Sequence, residues 1–231
     1  MESKSLLPPE CIVYGGAFDP PHEGHRLVIK RVLAGFPGAT VKVIPGKMPA
    51  GVQGKHKLTG ASFEQRLAMC RLMFEEELAS GRVELDTIER ELPTPNYTVQ
   101  TLRALQSREP KRTLGLVMGR DQLQQFASWK EPSAIVEMAS LVIVDRDEPL
   151  DFGVAIDTLG TQLKLHPIAL PQGIWLWEVF QTGIFPLAGL LSEASSSKVR
   201  KDIGAARTKG WLTEHLADFI ESQGLYKKVE A

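Results

Sequence analysis

The chain has 231 residues, enough to bury a substantial core in one generous domain and too few for two independent ones. Hydrophobic residues make up 43% and charged residues 24%, which excludes the disordered and fibrous classes. A formal net charge of -1 and a pI near 6.5 give no global attraction to nucleic acid or to an anionic membrane, so any anion must be held by a local site.

The opening MESKSLLPPE lacks the apolar core of a secretory signal. The most apolar stretch, Gly173 to Leu191, is interrupted by Glu178, Gln181, Gly183, Pro186 and Gly189 and reads as core strand and loop. The expectation is a cytoplasmic protein without a membrane span. Cys11 and Cys70 show no metal-binding spacing and are expected as buried thiols in a reducing compartment.

Cys11 to Tyr14 is a short apolar run closed by Gly15-Gly16, the pattern of a buried strand that ends in a tight turn. A helix follows with Leu27, Val28, Val32 and Leu33 on one face. Thr40 to Ile44 is a second strand, stopped by Pro45, and Gly46 to Gly60 is a Gly- and Lys-rich loop. Ser62 is placed to cap an amphipathic helix carrying Phe63, Arg66, Leu67, Cys70 and Met73. Val83 to Ile88 is a strand candidate, Tyr97 to Leu105 a helix, and Thr113 to Met118 a strand ending at Gly119. Short helices over Asp121 to Phe126 and Pro132 to Met138 lead to a strand at Leu141 to Val144, with Pro132 suited to a first helical position.

Beyond Asp151 the pattern weakens, to strands at Leu163 to Ile168 and Ile174 to Val179 and helices at Val199 to Ala206 and Glu214 to Ser222. Strand–helix alternation predicts an α/β fold with a mostly parallel sheet covered on both faces, and ligands at the carboxyl ends of its strands. Residues 1–231 are expected to form a single domain, its core spanning about 11–191 and a small C-terminal helical part spanning about 192–231.

The most informative residues follow the first strand: Gly15-Gly16-Ala17-Phe18-Asp19-Pro20-Pro21-His22-Glu23-Gly24-His25. Paired glycines allow close approach of backbone to a phosphate, and the start of a helix offers N–H groups and a positive dipole end. His22 and His25, three apart, would share one face of that first turn and could donate to phosphoryl oxygens as charge develops. The alternatives are a structural pair capping the helix or a zinc site, the latter lacking a nearby third ligand.

Four further segments carry candidate chemistry. Ser195-Ser196-Ser197 precede a helix with Arg200 one turn in, so hydroxyls, N–H groups and a guanidinium could converge on phosphates, or the serines could simply cap. Gly119 and Asp121 follow a strand end, where the carboxylate either takes hydrogen bonds from a ribose or caps the next helix. Trp129 is either a stacking platform or packing. Lys47, Lys55, His56 and Lys57 make the loop basic, a polyphosphate clamp or a solvated surface.

GGAFDPPHEGH resembles the GxFDPxHxGH signature of the HxGH nucleotidyltransferases. Met118-Gly119-Arg120-Asp121 with Trp129 and Pro132, Asn96-Tyr97-Thr98 with Thr101-Leu102, Ser195 to Arg200, and Phe219-Ile220 with Leu225-Tyr226 are similar, in the same order, to motifs of the bacterial nicotinate-mononucleotide adenylyltransferases. The resemblance implies a Rossmann-like, doubly wound α/β fold and transfer of AMP from ATP to nicotinate mononucleotide in NAD biosynthesis, with Mg2+ carried on the triphosphate and no metal held by the protein. It assigns His22, His25 and Arg200 to catalysis. Gly15, Gly16, Phe18, Gly119, Asp121, Ser195, Ser196, Ser197 and Lys57 fall to ATP, and Tyr97, Thr98, Trp129, Arg66 and Arg146 to the second substrate.

The sequence departs from that pattern at the loop, where Pro49-Ala50-Gly51 and then His56-Lys57 replace PPHK, and at Asn96, Ala194 and Ser197, where Ser, Ile and Thr are usual. No charged or imidazole group is lost. An amide in place of the acid substrate, phosphopantetheine adenylyl transfer and a non-catalytic nucleotide-binding module stand as alternatives. No basic stripe or helix-turn-helix pattern supports DNA binding.

Overall fold

The computed structural model describes residues 6–48, 60–145, 152–187, 189 and 192–227. The apolar run at the start becomes β1 (Cys11–Gly16), and Thr40–Pro45, Val83–Leu85, Leu114–Gly119 and Ala139–Val144 become β2 to β5. Pro167–Leu170, Ile174–Trp177 and Gly183–Leu187 are β6, β7 and β8. Together they form an eight-stranded sheet in the order β3-β2-β1-β4-β5-β8-β7-β6. Neighbours from β3 through to β8 run parallel, while β8, β7 and β6 pair antiparallel.

The helices are α1 (Glu23–Gly35), α2 (Phe63–Met73), α3 (Glu75–Ala79), α4 (Thr98–Arg108), α5 (Arg120–Gln125), α6 (Pro132–Met138), α7 (Phe152–Leu163), α8 (Ser196–Lys201), α9 (Ile203–Thr208) and α10 (Glu214–Ser222). Side chains alternate across the sheet, so each strand feeds two cores. Ile12, Val41, Val43, Val117 and Val142 pack with α1, α2 and the last three helices, through Val199, Ala206, Leu216 and Ile220. Val13, Ile44, Leu116, Met118 and Ile143 pack with α4, α6 and α7, through Leu102, Leu105, Ile135 and Ile156. This is the expected doubly wound α/β arrangement.

Chain order reverses between β1 and β4, and there the sheet opens. Pairing of the two strands ends at Val13 with Leu116, yet β1 continues to Gly16 and β4 to Gly119. The last residues of each strand therefore separate, leaving a crevice at their carboxyl ends, where such sheets bind ligands.

Several expectations need correction. Leu163 to His166 is not strand: Leu163 ends α7, a helix missed entirely, and β6 starts only at Pro167. Ile88 belongs to a 3-10 turn, Ile88–Arg90, beyond β3. The helix expected from Val199 to Ala206 is two, because Asp202 turns extended (φ -156°) to close α8 and its carboxylate caps α9 at Ala205 N–H. Among the described residues no helix is long and apolar enough to cross a membrane.

Candidate active site

His22 is the N-cap of α1, and the two histidines cap reciprocally. His22 Nδ1 accepts from the Gly24 N–H at 3.1 Å, and His25 Nδ1 accepts from the His22 N–H at 3.1 Å. The rings stack with centroids 3.8 Å apart. Because each Nδ1 is an acceptor, the neutral ring must carry its proton on Nε2, so the cap fixes both imidazoles in one tautomer as Nε2–H donors. Capping and donation are thus compatible, and the capping alternative is part of the site's construction. Gly24 is required beneath them: a Cβ there would lie 3.0 Å from the His22 ring and 3.2 Å from Ser192 Oγ.

Gly15 is exposed with open space above its Cα, as an approaching phosphate requires. Phe18 is different. Its side chain, expected on the ATP side, is 1% exposed and packs edge-on against Tyr14, His25 and Phe74. Any contribution to ATP must come from its backbone, held at φ 47° in the left-handed region where a bulky residue is strained. Its ring wedges His25 from behind.

The serine segment arrives from the other end of the chain. Ser195 caps α8 at Lys198 N–H, Ser196 Oγ donates to Pro20 O at 2.9 Å, and Arg200 Nη1 donates to Asp19 O at 2.5 Å. Exposed Ser197 accepts from Arg200 Nη2 at 3.3 Å. Arg200 and Ser196 are therefore seated on the histidine turn, a convergence that chain distance alone hid.

Arg66 corrects an expectation. It is fully buried, and its guanidinium donates to Ala17 O at 2.6 Å, Gly46 O at 2.7 Å and Lys47 O at 3.4 Å. Nε finds no partner among the described residues, and burial holds the guanidinium's pKa below its ordinary value, with Asp19 opposing. The residue is a strut between the turn after β1 and the end of β2, and is not presented to a substrate.

Across the crevice, Gly119 is the N-cap of α5, and its N–H donates to Gln122 Oε1 at 3.0 Å. That excludes the capping alternative for Asp121, which is exposed in the first turn. Tyr97 is the N-cap of α4, Thr98 opens it, and half-buried Trp129 packs on Phe126 with ring centroids 5.3 Å apart and planes tilted by 51°. Lys57 and Arg146 lie outside the described residues. The sequence did not single out Lys130, whose Nζ sits 4.5 Å above the Tyr97 ring, and adjacency to Trp129 was the only signal for it. Asn96 ties the segment before α4 to Met48 through both backbone and side chain, at 3.0 and 2.8 Å.

A crevice at the switch of a doubly wound sheet, floored by glycines and flanked by an N-capping HxGH pair and an arginine, defines a nucleotidyltransferase-type site. The cytidylyltransferase-like family model matches residues 13–202, so the chain belongs to that family. More narrowly, it belongs with the nicotinate-nucleotide adenylyltransferases. It is 32% identical over 217 residues (93% of this chain, 96% of the relative) to the "Probable nicotinate-nucleotide adenylyltransferase" of Roseiflexus sp. (strain RS-1). It is 33% identical over 221 residues (94% and 97%) to the protein of the same name from Chlorobium luteolum (strain DSM 273 / BCRC 81028 / 2530). In fold it is similar to the Plasmodium falciparum nicotinic acid mononucleotide adenylyltransferase complexed with NaAD, with a TM-score of 0.67 at 16% identity, covering 95% of this chain and 98% of that one.

Proposed function

We propose that the chain transfers AMP from ATP to nicotinate mononucleotide, giving nicotinate adenine dinucleotide and pyrophosphate. The observation that carries this reading is the reciprocal imidazole cap at the carboxyl end of β1, with Arg200 seated on the same turn. A phosphate oxygen of the mononucleotide, already ionised at neutral pH, attacks the α-phosphorus in line. The α–β bridging bond breaks, and its electron pair leaves on pyrophosphate. No general base is needed, so the protein's work is positioning and charge stabilisation. His22 and His25 donate from Nε2 to the phosphoryl oxygens, and Arg200 faces the triphosphate with Ser195, Ser196 and Ser197 beside it.

Mg2+ enters as part of the ATP substrate. When bound, it neutralises charge on the departing pyrophosphate.

The acid is favoured over the amide by the first turn of α4. Its N–H groups and positive dipole end, with Lys130 over Tyr97, suit a carboxylate on a ring stacked near Trp129. The test is to incubate the protein with ATP, Mg2+ and either mononucleotide and to quantify dinucleotide and pyrophosphate. Higher kcat/KM with the acid supports the reading, a preference for the amide moves the substrate, and no product from either sinks it.

A further inference from the structure

Asp19 lies within the histidine turn and is only 5% exposed. Three donors fix its carboxylate: Gly60 N–H at 2.7 Å on Oδ2, with Ala61 N–H at 3.1 Å and the Tyr226 hydroxyl at 2.6 Å on Oδ1. Arg200 donates to the main-chain carbonyl of this same residue, yet its Nη1 stands 4.0 Å from Asp19 Oδ2. A charge-assisted pair left to itself closes to about 2.8 Å. The carboxylate is held off, and what holds it includes a residue over two hundred positions away.

Tyr226 is built into that role. Gly224 (φ 62°) and the Leu225 N–H to Ile220 O bond at 3.0 Å turn the chain back after α10, and Tyr226 itself adopts φ 60°, a conformation a bulky residue rarely takes. Its ring lies so close to Gly60 that a Cβ there would meet Cε1 at 3.0 Å. Burial first, and then the bond to Asp19, raises the hydroxyl's pKa above its ordinary value, so it remains a proton donor.

We propose that Tyr226 is a positioning residue for ATP: by holding the Asp19 carboxylate it prevents capture of the Arg200 guanidinium, whose charge stays available to the phosphates. The inference rests on the reading of Arg200 as a phosphate-binding group. Tyr226→Phe keeps the ring and removes the hydroxyl. Asp19 is then freer to close on Arg200 and compete with ATP.

The experiment is calorimetric titration of the full chain with ATP, for wild type, Tyr226→Phe, Arg200→Ala and the double variant. Tyr226→Phe is expected to weaken ATP binding about tenfold in the wild-type background and less than twofold where Arg200 is absent, the non-additivity of a shared path. Nicotinate mononucleotide binding should change less than twofold. The same factor in both backgrounds, or no weakening, overturns the proposal. Gly60→Ala, whose Cβ would press on the Tyr226 ring at 3.0 Å, should weaken binding in the same Arg200-dependent way and serves if Tyr226→Phe fails to fold. Wild-type protein that does not bind ATP would sink the functional reading as well, whereas wild-type binding with an unaffected Tyr226→Phe sinks this inference alone.

Discussion

Replacing His22 separates its two roles, because a cap needs only an acceptor while the proposed chemistry needs an imidazole Nε2–H. Asparagine is a preferred N-cap, and its carbonyl oxygen can accept from Gly24 N–H, as His22 Nδ1 does at 3.1 Å. His25 should stay in place, since its anchor is the main-chain N–H of residue 22, which no substitution other than proline removes. The expected result is that His22→Asn keeps the stability of the wild type to within about 0.5 kcal/mol, whereas His22→Ala loses about 1 kcal/mol with the cap. Both should lower kcat by about 10²-fold, the loss on removing one transition-state donor and equivalent to about 2.7 kcal/mol. Pyrophosphate release at saturating substrates gives kcat, and urea unfolding gives stability. Turnover of His22→Asn within about threefold of wild type would refute the reasoning and leave His22 as a cap alone.

Other consequences follow from the same geometry. Gly24→Ala should lower kcat about tenfold, because His22, 3% exposed and stacked on His25, cannot retreat from a Cβ at 3.0 Å without loosening the caps; unaltered kinetics would show that it can. Both thiols should resist iodoacetamide at pH 8 in the folded protein and react on unfolding, since burial pushes Cys11 up to about 11 and raises Cys70 further; labelling followed by mass spectrometry decides. Burial raises the pKa of Glu89 above its ordinary 4.5, against the pull of Thr101, the Lys47 N–H and Arg66. A raised folded-state value means this group favours folding fully below its unfolded pKa, and that contribution fades as pH climbs through the folded value. Glu89→Gln should therefore show a smaller fall in urea midpoint from pH 4 to pH 7 than wild type, and parallel curves would contradict the assignment.

What the sequence disclosed was local. The turn after β1, the Ser62 cap, and Pro132 at the start of α6 all act within a few residues, so side-chain type and spacing suffice to find them. α7 was not read from the sequence although Phe152, Ile156, Leu159 and Gly160 form a helical stripe, in which Gly160 is an unfavourable helix residue. Its reason is tertiary: a Cβ there would meet Leu165 O and Pro167 Cδ at 2.8 Å. Pro186 is a poor strand residue, but it lies past the last pair with β7, where that side of β8 needs no ladder donor.

The site divides in the same way. His22 and His25 could be placed from spacing, but their tautomers depend on which nitrogen the helix start occupies, which only the folded turn reveals. Arg66 was assigned to a substrate on the family resemblance alone, as the arginine on the helix after the basic loop. The fold instead set it among three carbonyls of the turn after β1 and the end of β2. Asp19 and Tyr226 were visible only as members of motifs at opposite ends of the chain, and the bond between them is legible only once α10 has packed against α2. The imidazole pair in this fold is thus written locally, whereas the arginine reaches it from the far end of the chain. The restraint that keeps its arginine available is long-range, and is better sought in the partners of buried carboxylates than in motif spacing.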